Sequence, residues 1–481
     1  MRWLLSLRFM LIFVGVQAQE RLSFDEALSR MVLNNRAING AKYGVDAAYS
    51  EYRATQGLRA PQVELMGGYT LMQHDIDIDL GGAKGVVTES LESLINKGIT
   101  GGVISPTIAA LLGEGLAPIH SADWSYTLQK RDFGFVGTTI SVPIYLGGRI
   151  NIANRVAKLK VESANNLLEG VSSSMITELV ERYYGVILAQ EVVKVREEVV
   201  EGVKQHLADA LAMEEEGMLA HSVILYLEYK LSDAERDYAD AKSRSLVAEL
   251  ALQSTLQSAD DITPAEGMFI TYDLHDIEYY RANALQHNPI IGEAHLAHNI
   301  AVEGVNLARG ELLPSVVAMG GVSICSHNLS DIAPRWAVGI GASIPLFAGF
   351  SGRQRAKSAQ YTELSVESMA AKATEDILLL VDREYYTLQN ALLGINSSKH
   401  SETFARSYYH SALEGFRAGV TSSVELMDAR IALAGARVEY LSSVYDYTLA
   451  LARLLELSGL SDRFMEYKSH SDIVDINTLI E

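Results

Sequence analysis

The chain has 481 residues, 48% hydrophobic and 21% charged, with a formal net charge of −20. That acidic balance lacks the basic footprint needed by nucleic acid and by anionic lipid surfaces. One cysteine, Cys325, excludes a disulfide framework and a thiol-rich metal site, and only 9 prolines suit long helices better than a loop-rich enzyme.

Residues 1–18 carry Arg2 and Arg8 around an apolar run from Phe9 to Val16 and end on Val16-Gln17-Ala18. This is the pattern of a secretory signal peptide cut before Gln19. A membrane anchor is the other reading, although the run is shorter than the ~20 residues of a spanning helix. No cysteine follows it, so no lipid anchor is expected at the mature N-terminus. No later stretch is apolar enough to span as a helix, so any further membrane crossing calls for β-strands.

The rest of the chain repeats itself. Pro61 and Met66-Gly67-Gly68 recur as Pro314 and Met319-Gly320-Gly321 at an offset of 253 residues. Ser141-Val142-Pro143, Tyr183-Tyr184 and Gly217 recur as Ser343-Ile344-Pro345, Tyr385-Tyr386 and Gly419 at an offset of 202. The chain therefore reads as a tandem duplication, with 51 extra residues between Gly68 and Ser141 of the first copy.

The first repeat, 19–260, is expected to hold a helix over about 22–58, strands near 62–72 and 133–145, a long helix near 150–216 and a return helix near 222–257. The second, 261–460, repeats the plan with a helix near 277–312, strands near 315–325 and 336–346, a long helix near 352–416 and a return helix near 423–458. Residues 461–481 form a C-terminal tail. The clearest strand alternates Trp336, Val338, Ile340, Ala342, Ile344 and Leu346 with small or polar residues. Each strand is about the length that crosses a bilayer when tilted.

Each long helix carries an apolar stripe at steps of three or four. One runs through Leu168, Val171, Met175, Leu179, Tyr183 and Val186; the other passes Val366, Met369, Ala373, Ile377, Val381, Tyr385, Leu388 and Leu392. These read as packing seams, the paired tyrosines included. At ~1.5 Å per residue each long helix reaches ~100 Å, and the two shorter helices of its repeat together match that length, which suggests that they stack end to end along it. The 51-residue excess lies in the loop 73–132, where Leu91, Leu94 and Ile95 share one side and 103–112 is apolar, so short helices are expected there.

Both long helices end on a glycine turn. In the second, Gly419 stops the helix, Ser422 or Ser423 can cap the next, and Glu425 and Asp428 sit three apart on the first turns beyond. The first copy reads Glu216-Gly217-Met218-Leu219-Ala220-His221-Ser222, with Glu228 as its only comparable acid. Acids at a helix start are also favoured by the helix dipole alone. No catalytic or nucleotide-binding motif occurs, so no enzyme activity and no cofactor are expected. His295 and His298 beside Glu293 have metal-like spacing but read as surface residues.

The motifs Leu22-Ser23-Phe24-Asp25-Glu26-Ala27-Leu28, Asn34-Asn35, Asn288-Pro289, Pro314, Ser343-Ile344-Pro345-Leu346-Phe347 with Gly352-Arg353, and Arg417 to Arg430, in duplicated order, resemble the TolC-like outer-membrane efflux protein family. The resemblance covers nearly the whole mature chain. It implies a mainly α fold with a transmembrane β part: four strands per protomer contribute to a twelve-stranded trimeric barrel, continued by a long α-helical tunnel in the periplasm. It implies outer-membrane lipid around the barrel, a homotrimer, a periplasmic adaptor and an inner-membrane pump of RND or ABC type.

In that family an acidic pair after the tip lines the closed end, which places a gate ring at Glu425 and Asp428. Adaptor contact falls on Gly217, Met218, Leu219, Arg417, Gly419 and Val420. Thr421 stands where some relatives carry a latch arginine, so a latch here is expected to use Arg417 or Arg430. The function implied is a passive exit duct of a tripartite efflux or secretion system. A type I protein secretion duct and a soluble periplasmic helical scaffold are the alternatives.

Overall fold

The computed structural model describes residues 20–258, 261–347, 349–469 and 472–473; the expected signal peptide and most of the tail lie outside the described residues. In chain order the elements are β1 (Glu20–Leu22), α1 (Phe24–Asn34), α2 (Arg36–Gly57), β2 (Gln62–Leu71), β3 (Ile76–Asp79), α3 (Gly81–Thr100), α4 (Pro106–Ser121), β4 (Ser125–Gln129), β5 (Asp132–Leu146), α5 (Arg149–Glu215) and α6 (His221–Leu256). The second half follows with β6 (Ile262–Pro264), β7 (Phe269–Ile270), α7 (Ile277–His287), α8 (Pro289–Gly310), β8 (Ser315–His327), β9 (Trp336–Ser343), α9 (Ser351–Arg417), α10 (Ser423–Leu457), α11 (Phe464–Ser469) and β10 (Asp472–Ile473).

The chain divides into two compact units. One consists of Arg53–Asn154 and Asn306–Lys357. Its centre is an antiparallel sheet of four strands in the order β2-β5-β8-β9, so the second strand of the first repeat pairs with the first strand of the second. Among the described residues the outer edges of β2 and β9 pair with nothing. Val63, Leu65, Tyr69 and Leu71 on β2, and Trp336, Val338 and Ile340 on β9, are exposed. The ladder of β9 stops at Ser343 rather than running to 346, because its partner β8 begins at the paired Ser315, directly after Pro314.

The long first-repeat loop contains more than short helices. A two-stranded ladder, β3 with β4, carries the helical hairpin α3–α4. Ser105 caps α4 by accepting from the Ile108 amide at 3.4 Å, with Pro106 at the first helical position where its missing N–H costs nothing.

The other unit, Arg155–Val305, Ser358 onward and the residues before Arg53, is helical. The expected single helices at 22–58 and 277–312 are each interrupted, at Asn35 and Asn288. The Asn35 carbonyl oxygen accepts from the amides of Ala37 and Ile38, and its amide nitrogen donates to the Thr255 carbonyl at the end of α6. Asn288 repeats this with Ile290, Ile291 and the Leu457 carbonyl at the end of α10. Each asparagine thus caps a new helix and ties it to the return helix of its own repeat. The break leaves the apolar periodicity undisturbed, which is why periodicity alone does not reveal it.

An aromatic cluster lies within a largely aliphatic core. Tyr183 and Tyr184 on α5 surround Phe24 at ring distances of 5.4 and 5.7 Å, and Phe464 and Phe269 complete the cluster. Complete burial of an aromatic side chain contributes about 1.5–3 kcal/mol. The Tyr183 hydroxyl donates to the Leu22 carbonyl at 2.9 Å, which fixes the first strand residues to α5. The second-repeat tyrosines differ: Tyr385 is half-buried, whereas Tyr386 is 57% exposed and Met369 on the same expected seam 68% exposed. Two bidentate ion pairs stitch the helices further, Arg155 to Glu303 between α5 and α8, and Arg281 to Asp382 between α7 and α9.

Candidate functional site

Both tips close in one way. After α5 the Met218 amide donates to the Met213 carbonyl and the Gly217 amide to the Glu214 carbonyl; after α9 Val420 donates to Gly415 and Gly419 to Phe416. These crossed bonds satisfy the last carbonyls and place the glycine in the left-handed region, with φ of +72° at Gly217 and +73° at Gly419. A side chain there would cost roughly 1–2 kcal/mol. Beyond the glycines stand exposed apolar groups, Met218 and, at 82% exposure, Val420; Leu219 turns inward against the core and Arg417 is exposed.

The two tips begin their return helices differently. The Ser422 hydroxyl accepts from the Glu425 amide at 3.1 Å, a true N-cap. The first tip starts α6 at Ala220, which offers no side-chain cap. Glu425 and Asp428 lie three apart on one exposed face of α10, while Leu426, Met427 and Ala429 turn the other face into the protein. Asp428 also neighbours α6: burial first, and the Asp428 charge second, hold the Tyr226 phenol above its ordinary range.

What holds the second tip against the first hairpin is a cluster outside the expected gate residues. His206 of α5, 4% exposed, places Nε2 2.6 Å from the Ser423 hydroxyl and sets its ring edge-on to Phe416 at 4.7 Å. Arg430 of α10 donates to the Tyr409 hydroxyl at 2.8 Å and lies over the Tyr409 ring. Its guanidinium occupies the space a side chain at Gly202 would need, so the glycine permits the close approach of α10 to α5. Of the two expected latch arginines, Arg430 therefore bridges helices. Arg417 pairs with Glu414 on its own helix, at 3.0 Å. Further along, Arg437 of α10 reaches Glu198 of α5 at 2.7 Å and buried Glu402 of α9 at 3.7 Å, with Arg406 closing on Glu402 at 3.0 Å.

His206 had a sequence signal: it continues the buried stripe Val199, Val203 and Ala210 on α5. A histidine in an apolar seam reads as a core residue until its partners are known. Among the described residues no group of three or more His, Cys, Asp or Glu side chains could hold a metal ion, and Glu293 accepts from Ser163 at 2.7 Å.

The sequence pattern of the outer membrane efflux protein family matches residues 281–460. The chain is 21% identical over 342 residues to the outer membrane protein TolC of Vibrio cholerae serotype O1, which covers 67% of this chain and 74% of that protein. It is 26% identical over 310 residues to the alkaline protease secretion protein AprF of Pseudomonas aeruginosa, covering 60% of this chain and 62% of that one. Its fold resembles the crystal structure of the Campylobacter jejuni CmeC outer membrane channel, with a TM-score of 0.69 at 15% identity over 93% of this chain and 90% of that one. Over residues 281–460 the sequence thus resembles the outer membrane efflux protein family, and over most of its length the chain shares the fold of solved outer membrane channels.

Proposed function

We propose that the chain is the outer-membrane channel of a tripartite efflux or secretion system, a passive duct built from three copies. The observation that carries this reading is the four-stranded sheet with two open edges and exposed apolar side chains. In lipid an unpaired strand edge is prohibitively costly, so four strands require neighbouring copies, and three copies supply twelve. No helix among the described residues is long and apolar enough to cross a membrane. A soluble helical scaffold has no use for such a sheet.

A second observation supports side-by-side copies. On α9 the exposed residues Leu379, Tyr386 and Leu393 recur every seven positions, the spacing of a helix-packing seam, and the chain itself leaves them 66%, 57% and 67% exposed. In the assembled tunnel Glu425 and Asp428 form an acidic ring at the periplasmic end, where like charges repel anions, attract cations and favour opening. Gly217, Met218, Leu219, Arg417, Gly419 and Val420 meet a periplasmic adaptor, which couples the duct to an inner-membrane pump, since the chain carries no nucleotide-binding motif. The match to a protein named for alkaline protease secretion favours a polypeptide cargo as the second reading.

The test is single-channel recording in planar bilayers. Glu425→Gln with Asp428→Asn should lower cation conductance and weaken block by multivalent cations several-fold. Conductance and block identical to the parent protein would remove these residues from the gate.

A further inference from the structure

We propose that His206 makes the junction of the two tips pH-responsive: neutral, it clasps the second tip to the first hairpin, and charged, it releases it. The proposal depends on the cluster alone and would hold for any use of the tips; that the release opens a duct rests on the function proposed above.

The clasp joins three helices. His206 comes from α5, Ser423 and Arg430 from α10, and Phe416 and Tyr409 from α9. Ser423 is the first residue of α10, directly after the capping Ser422, so His206 grips the turn that sets the direction of the helix bearing Glu425 and Asp428. The ring is almost completely buried, and so is the Ser423 side chain. Its neutral form satisfies the contact, since Nε2 and the hydroxyl can exchange donor and acceptor roles.

The charged and titratable groups around the ring are Arg430 on α10, with Tyr409 of α9 as that guanidinium's partner, and Asp209 on α5 itself. Arg430 is fixed in charge and is held by Tyr409 and the Gly202 gap, and its Nε is buried without a hydrogen-bond partner among the described residues. An imidazolium would therefore sit buried beside a second cation that cannot retreat, with a single carboxylate in compensation. Burial first and Arg430 second hold the His206 pKa below 6.5, and Asp209 opposes them. The sign follows. The clasped state binds the proton less readily than the open state, so its stability is complete above the ordinary histidine range and declines as the pH falls below ~6.5 toward the lowered folded value. One proton makes the opening equilibrium change by at most about tenfold per pH unit.

Hydrogen exchange by mass spectrometry on the full-length, detergent-extracted protein tests this, comparing the amides of 199–210 and 416–430 at pH 7.5 and 5.5 after correction for the intrinsic chemical rate. The expected result is a five- to tenfold gain in opening at pH 5.5 in the parent protein. His206→Gln, which keeps a hydrogen-bonding group without a titrating charge, should abolish that gain, and His206→Asn should do the same. Equal protection at both pH values in the parent, or an unchanged pH response in both variants, overturns the proposal. Planar-bilayer conductance on the same samples reads the duct separately: protection that falls with pH in a protein that never conducts refutes the channel reading and leaves the clasp intact.

Discussion

Asn288 shows how one side chain can carry a junction. Its carbonyl oxygen caps α8 through two amides, at 2.9 and 3.2 Å, and its amide nitrogen holds the Leu457 carbonyl at 2.8 Å. Asn288→Ala removes a helix cap and leaves a carbonyl at a helix end without its donor, a loss of about 2 kcal/mol. Asn288→Asp should retain the capping half and lose the carbonyl contact, so thermal unfolding in detergent followed by circular dichroism should rank parent, Asp variant, Ala variant. An Ala variant as stable as the parent would contradict the capping role. Both asparagines stand out in the sequence as parts of a duplicated motif, but their job depends on carbonyls roughly 170 and 220 residues away, at Leu457 and Thr255, and is invisible to any local pattern. The same holds for His206, whose importance lies in Ser423, Phe416 and Arg430 rather than in its neighbours along the chain.

At the scale of elements, the duplication was legible because glycines, prolines and asparagines mark ends, and ends recur at fixed offsets. The long helices α5 and α9 and their returns α6 and α10 follow from uninterrupted stripes closed by Gly217 and Gly419. The interior limits were less legible. Capping asparagines interrupt a helix without interrupting its stripe, and β9 ends where its partner strand β8 begins rather than at a change of alternation. The α3–α4 hairpin is the largest departure between the repeats. It joins β3 to β4 and packs mainly on itself, through Thr88, Ala109 and Leu116, with a His120–Glu92 contact at 3.0 Å between its helices. Deleting residues 80–125 should therefore leave oligomer assembly unchanged and alter only access of surface antibodies or phage; a deletion protein that no longer assembles would show that the hairpin holds copies together.

For the whole molecule, each repeat contributes two strands and one long helical hairpin, and neither repeat buries all its apolar surface alone. The sheet keeps two open edges, and α9 keeps Leu379, Tyr386 and Leu393 in the open at heptad spacing. Under the function proposed above, further copies of the chain meet both requirements, one for backbone partners and one for apolar cover. The tips differ in capping and in acids; under the function proposed above, the second hairpin carries the gate and the first supplies the surface it closes on. The number of chains in the assembled particle is the most direct test of a duct built from three copies. Native mass spectrometry of the protein extracted from outer membranes should give the mass of three chains, collapsing to one on heating. A single-chain mass, or recovery of the protein in the soluble periplasmic fraction, would contradict it.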